Sequence, residues 1–122
     1  MVLKTDIEGN LPLSESTLLM LLCLGPGPLH GYAIMKELAA LSEIRVQLSS
    51  GTLYGALKRL LAVGWIERAE EDLRAEAEVE RPGRRRRYYV LTERGRGLLE
   101  AEVARLRSLV AAASPSAREM QA

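Results

Sequence analysis

Residues 47–66 read QLSSGTLYGALKRLLAVGWI, and the fold of the whole chain is argued outward from them. Ser49, Ser50, Gly51 and Thr52 are residues that start helices, and Leu53, Leu57, Leu60 and Leu61 follow at i, i+4, i+7 and i+8. That spacing predicts an amphipathic helix over 49–63. Gly64 stands where a left-handed residue would end it. The opposite face carries Gly51, Tyr54, Gly55, Lys58 and Ala62, with Arg59 at its edge. An exposed helical glycine costs about 0.5–1 kcal/mol relative to alanine. Two of them beside a phenol and two cations therefore point to a surface that lets a polyanion come close. The first turn of a helix is also suited to a phosphate.

With 122 residues, 48% of them hydrophobic, the chain is long enough for one domain with its own core. Net charge is only +1, but it is unevenly spread. Residues 1–83 hold 8 Lys/Arg against 12 Asp/Glu, and residues 84–122 hold 9 against 4, with Arg84, Arg85, Arg86 and Arg87 consecutive. A local basic cluster matters more than the total for phosphate binding. Cys23 is the only cysteine, which excludes an intramolecular disulfide and a multi-cysteine zinc site and suits a reducing cytoplasm. No run of 18 apolar residues predicts a membrane span. The N-terminal MVLKTDIEGN lacks the apolar stretch of a signal peptide, so the expected location is cytoplasmic.

Upstream, Ser14 is a good cap for a first helix running to about Leu24, with Leu13 and Leu18 spaced as a hydrophobic staple. Leu18, Leu19, Leu21, Leu22 and Cys23 make this helix apolar nearly all round, which predicts deep burial. Gly25-Pro26-Gly27-Pro28 breaks it. A second helix is expected over Gly31–Leu41, with Ile34, Met35, Leu38 and Leu41 as its stripe. Residues 42–48 then join it to the helix first described. Two amphipathic helices so joined suggest a helix-turn-helix whose second member reads DNA.

Downstream, Trp65–Glu70 and Arg85–Leu91 have the composition of short strands, and Pro82-Gly83 lies between them as a turn. Glu70–Glu80 holds six carboxylates against one arginine and reads as a solvated hairpin rather than a metal site. Thr92 can cap a last helix from Glu93 to about Ala113. In it Leu99, Val103, Leu106, Val110 and Ala113 recur at spacings of 4, 3, 4 and 3. This helix is longer than closing the domain requires, and its apolar excess calls for a second copy. The expected fold is mainly α (α+β): a winged helix-turn-helix with a two-stranded wing and a long C-terminal dimerisation helix. Residues 1–12 are expected to form a flexible arm, 13–91 the winged helix, 92–113 the dimerisation helix and 114–122 a disordered tail.

The candidate DNA contacts are Ser50, Thr52, Tyr54, Lys58 and Arg59, with Arg84, Arg85, Arg86 and Arg87 on the wing. A strand alternates its faces, so Arg84 and Arg86, or Arg85 and Arg87, would be the contacting pair. Arginine there grips phosphates or the minor groove without reading bases. Leu99, Val103, Leu106 and Val110 are the candidates for dimerisation. His30 reads as a capping residue, Cys23 as core and Trp65 as a packing anchor between wing and helices. No nucleophile–base pairing, glycine-rich phosphate loop or metal-ligand spacing occurs, so neither catalysis nor a cofactor is expected.

His30-Gly31-Tyr32 entering a helix, the run Ser49-Ser50-Gly51-Thr52-Leu53-Tyr54, and Arg86-Arg87-Tyr88-Tyr89-Val90-Leu91-Thr92 with Gly95 resemble the PadR family of transcriptional regulators. The likeness runs from about Leu13 to Leu109, and the length and single C-terminal helix look like the smaller subfamily. It implies a homodimer that binds a pseudo-palindromic operator in double-stranded DNA, usually as a repressor, through recognition helix 50–62 and wing 65–91. It also implies a small apolar or aromatic effector near the dimer interface in some relatives. This chain departs from the pattern at Gly55, where proline is common, in its long acidic wing loop, and in a C-terminal helix without aromatics. Two other functions fit the same elements: a winged-helix adaptor that binds protein, and a small-molecule sensor with its ligand at the dimer interface.

Overall fold

The structure is a computed structural model that describes residue 7 and residues 9–69 and 87–114. Its elements in order are α1 (Glu15–Leu24), β1 (Leu29–His30), α2 (Gly31–Leu41), α3 (Ser50–Val63), β2 (Ile66–Arg68), β3 (Tyr88–Leu91) and α4 (Glu93–Ala112). The expectations for residues 1–6, for the acidic stretch 70–80, for Arg84, Arg85 and Arg86, and for the tail beyond 114 lie outside the described residues.

Each of these helices begins on a side chain that satisfies a backbone donor of its first turn. Ser14 Oγ accepts from Thr17 N–H, His30 Nδ1 from Ala33 N–H and Ser49 Oγ from Thr52 N–H, all at 3.2 Å, and Thr92 Oγ1 accepts from Gly95 N–H at 3.0 Å. Each such cap is worth about 1 kcal/mol. His30 is thus a cap, as its position suggested. At the far end of α3, Gly64 sits at φ +82°, the left-handed stop expected from the sequence.

The apolar stripes converge on one core. Met20, Leu21 and Leu24 of α1, Ile34 and Leu38 of α2, Leu53 and Leu57 of α3, Ile66 of β2 and Leu98 of α4 are all almost fully buried. In the turn between α2 and α3, the buried Ser42 hydroxyl accepts Val46 N–H at 3.0 Å, which keeps a polar turn satisfied against that core. Arg45 of this turn is ion-paired with Glu15 of α1.

The sheet holds three strands, in the order β1-β3-β2, where the sequence suggested two. The hairpin pairs Ile66 with Leu91, Glu67 with Val90 and Arg68 with Tyr89. On the other edge of β3, Leu29 pairs with Tyr89 and His30 with Tyr88. Two residues after a Gly-Pro turn, the second of them the cap of α2, are too short to show period-two alternation, so β1 leaves no trace in the sequence. Trp65 and Arg87, expected within the strands, lie just outside them.

One corner joins the end of α3 to the start of α4. The Thr92 hydroxyl donates to the Gly64 carbonyl at 2.6 Å, and Thr92 N–H donates to the Trp65 carbonyl at 3.1 Å. The backbones meet so closely that a Cβ on Gly95 would overlap the Trp65 carbonyl oxygen and lie 2.8 Å from its carbon. Along α4, Leu98, Leu99 and Glu102 are buried, whereas Leu109 and Val110 are exposed. The Glu102 carboxylate, 1% exposed, accepts Leu13 N–H at 2.8 Å and faces Arg105 Nε at 2.5 Å. The Arg105 guanidinium is the main reason that its carboxyl lies below the ordinary value, against the opposing effect of burial. That pair clamps the chain ahead of α1 onto α4. No helix of the described residues is long and apolar enough to cross a membrane.

Candidate nucleic-acid interface

Helix α3 buries Leu53, Leu57 and Leu60 and leaves Ser50, Gly51, Thr52, Tyr54, Lys58 and Arg59 exposed. Ser49 is the cap, so Ser50 is the first helical residue, at the exposed start. Ser49 Oγ donates to Thr52 Oγ1 at 3.0 Å, leaving the Thr52 hydroxyl its own proton to donate outward. The glycines of this face are not forced by internal packing. A Cβ on Gly51 would meet nothing within 4 Å, and one on Gly55 would meet only Arg59 Nη1, at 3.8 Å.

Tyr54 has a neighbour that sequence spacing could not show. Its ring lies against Gly31 at the start of α2, where a Cβ would come within 2.5 Å of the Tyr54 hydroxyl. Beside Gly31, the His30 ring stacks parallel to Tyr32 at 6.5 Å and meets Tyr88 edge-on at 5.4 Å. Tyr89 is buried next to them, and burial pushes its phenol above the ordinary value while the charges of Arg68 and Arg87 pull it down. All four tyrosines and the single histidine of the chain therefore gather where α2, α3 and β3 meet. The glycine in His30-Gly31-Tyr32 and the tyrosine ending Ser49–Tyr54 are two halves of one contact.

On the wing, Arg87 is exposed immediately before β3, and Arg68 is exposed at the end of β2, paired in register with Tyr89. Arg68 was not among the candidates. It is a lone cation in a strand, and only the register brings it near Arg87. Of the arginine run, Arg87 alone falls among the described residues.

The four dimerisation candidates divide. Leu99 is 8% exposed and belongs to the chain's own core, and Val103 and Leu106 are half-buried, whereas Val110 is 72% exposed. The surface left open is therefore displaced toward the C-terminal half of α4. There Val103, Leu106 and Val110 face Leu18 and Leu22 of α1 across an apolar groove of about 370 Å³. Helix α1, apolar nearly all round and expected to be deeply buried, does bury Leu19, Met20, Leu21, Cys23 and Leu24 but keeps Leu18 and Leu22 only partly covered, as the other wall of this groove.

Other chemistry finds little support. Cys23 is buried, with its thiol donating toward the Ile34 carbonyl, and burial pushes it up to about 11, so it stays protonated. Among the described residues, no three His, Cys, Asp or Glu side chains are placed to hold a metal ion.

A helix-turn-helix followed by an antiparallel hairpin, with a long helix closing the unit, defines a winged-helix protein. The chain belongs to the PadR-like family of transcriptional regulators, whose family model matches residues 18–101. A crystal structure of a PadR family transcription regulator from Clostridium difficile R20291 is 28% identical, with a TM-score of 0.60 over 79% of this chain and 91% of that one. Bacillus subtilis PadR, solved in complex with operator DNA, shares the fold at 20% identity and a TM-score of 0.59, over 75% of this chain and 47% of that one. A 37.1 kDa transposon protein of Streptomyces fradiae is 39% identical over 89 residues, 73% of this chain. This chain spans only 22% of that protein's length. The family is one of transcriptional regulators rather than of enzymes.

Proposed function

We propose that the chain is a DNA-binding transcriptional repressor that acts as a homodimer on a pseudo-palindromic operator. The observation that carries this reading is the outward face of α3, where Ser50, Thr52, Tyr54, Lys58 and Arg59 stand exposed around glycines that internal packing does not require. A face of hydroxyls, cations and bare backbone fits the major groove and its phosphates. Arg87 and Arg68 at the base of the wing supply charge at the side of the same surface, and Arg84, Arg85 and Arg86 extend it in sequence. The groove between α1 and α4 fits a second copy, which sets two α3 helices on successive turns of the duplex. B. subtilis PadR, a structural neighbour, was solved on operator DNA, and this chain carries the same fold.

The test is a gel-shift titration at fixed salt, using duplexes recovered by mapping the DNA bound in cells. Lys58→Ala is expected to weaken operator binding about tenfold, the loss of about 1.4 kcal/mol from one good contact. The dimer should remain intact. Unchanged affinity would remove Lys58 from the interface. Binding by the unaltered protein should also fall steeply between about 50 and 200 mM salt. A flat salt response, or no DNA binding, would instead support an adaptor that recognises protein.

A further inference from the structure

Two glycines near helix starts leave no room for a side chain, and for opposite reasons. At Gly95 the obstacle is the backbone of Trp65, which cannot move aside. At Gly31, the first residue of α2, a Cβ would lie 2.5 Å from the Tyr54 hydroxyl oxygen, 2.9 Å from its Cζ and 3.1 Å from its Cε1. All three atoms belong to the far end of a side chain that can swing away. Gly31 has no conformational need to be glycine. Among the described residues, Gly64 is the glycine at positive φ, and the cap of α2 is His30. The bare Cα keeps a place for the ring of Tyr54.

That place is firmly built. Gly31 is buried and directly follows β1, whose Leu29 and His30 pair with Tyr89 and Tyr88 of β3. His30 also holds the first turn of α2, with Nδ1 accepting Ala33 N–H at 3.2 Å, while its ring meets Tyr88 edge-on at 5.4 Å. The sheet therefore fixes where the bare Cα lies. Tyr54 is 47% exposed, on the same face of α3 as Lys58 at i+4. A tyrosine side chain has only a few staggered directions, and contact with Gly31 selects one of them.

We propose that Gly31 is a positioning residue for DNA recognition, the seat that fixes the direction from which the Tyr54 ring meets the bases. This rests on the DNA-binding reading given above. Gly31 itself is buried and has no side chain to offer a duplex, so its effect is carried by Tyr54 alone. A ring fixed before binding gives up little further freedom on the DNA, and a directional contact to base edges is one that distinguishes sequences. Selectivity for the operator is thus set partly from β1 and α2, outside the reading helix.

The test compares the operator with a scrambled duplex of the same length, using the full chain with Gly31→Ala, Tyr54→Ala and both together. Gly31→Ala is expected to weaken operator binding about tenfold, the loss of one base contact. Binding to the scrambled duplex should stay within about twofold, with the salt slope unchanged, because no charge is removed. Tyr54→Ala should give a similar loss, and the double variant should bind no more weakly than Tyr54→Ala alone. Melting of Gly31→Ala should stay within about 4 °C of the unaltered protein, since the ring can move aside. A larger fall that the double variant recovers would still place the methyl group against the ring. One that it does not recover would overturn the proposal, because the methyl group would then meet something else. Operator affinity of Gly31→Ala within about twofold of the unaltered protein would also overturn it. So would an equal loss on both duplexes, or losses that multiply in the double variant. If only Lys58→Ala weakens binding, the seat fails and the DNA-binding reading stands. If the unaltered protein binds neither duplex, both fall.

Discussion

Helices α3 and α4 meet at one corner and turn opposite kinds of surface outward. On α3 the exposed residues are glycine, hydroxyls, a phenol and cations, over a buried row of leucines. On α4 the first half is buried against the chain's own core, and the second half exposes Leu109 and Val110 beside an apolar groove. Both helices are amphipathic by the same leucine periodicity, and that periodicity is indifferent to what the other face meets. The residues left outside carry the information about partners. A bare polar face suits a polyanion, and an apolar face longer than its own core suits a second apolar surface. The corner that joins them ties the start of α4 to the residues that end α3, through Thr92 and Gly95.

The corner is where the largest effect is expected. Gly95→Ala would drive a methyl group into the Trp65 carbonyl, and no flexible side chain can move aside, because the obstacle is backbone. A cost of about 3 kcal/mol is expected from overpacking of this kind. For a chain of 122 residues that lowers the melting temperature by roughly 12 °C, read by circular dichroism. A melt within about 2 °C of the unaltered protein would show that the two helices are not locked together there.

Much of this organisation is legible in the sequence, and the exceptions have a common cause. Ser14, Ser49 and Thr92 announce helix starts, and Gly64 a helix end, because capping and chirality act within a few residues. The leucines at 53, 57 and 60 likewise mark the buried face of α3. What sequence could not show is contact across distance. Strand β1 exists only because β3 lies beside it, and the Gly31–Tyr54 contact joins residues 23 positions apart. Leu99 fits the heptad-like spacing of its neighbours as well as Val110 does, yet one is inside the chain's core and the other at its surface. Periodicity gives the angle of a residue around a helix, not how far along that helix the core extends.

The α4 side of the contrast is sharpened by Val110→Glu. At 72% exposure this residue contributes little to the chain's own fold, so the monomer's melting temperature should hardly change. In the proposed dimer the same carboxylate would be buried in a groove whose lining is apolar apart from Arg107. The expected outcome is a monomer in sedimentation velocity, with operator affinity lower by about a hundredfold, because two reading helices no longer bind as one unit. Lys58→Ala on α3 should do the reverse, leaving the dimer whole and weakening DNA contact alone. If Val110→Glu remained dimeric, the second copy would have to cover some other face.

The smallest expected effect probes the bare face of α3 itself. A Cβ on Gly55 meets only the far end of the Arg59 side chain, at 3.8 Å, so Gly55→Ala fits without strain. Alanine in a helix interior should then stabilise the fold by about 0.5–1 kcal/mol. If the face is kept bare for close approach of DNA, the same methyl group stands between backbone and duplex, and operator affinity should fall as stability rises. Opposite signs from one methyl group are the signature to look for, with melting and a gel-shift titration run on the same preparation. A gain in stability with unchanged affinity would mean that the duplex does not approach at Gly55. The reading contacts would then lie toward the first turn, around Ser50 and Thr52, where Gly51 leaves the same open space.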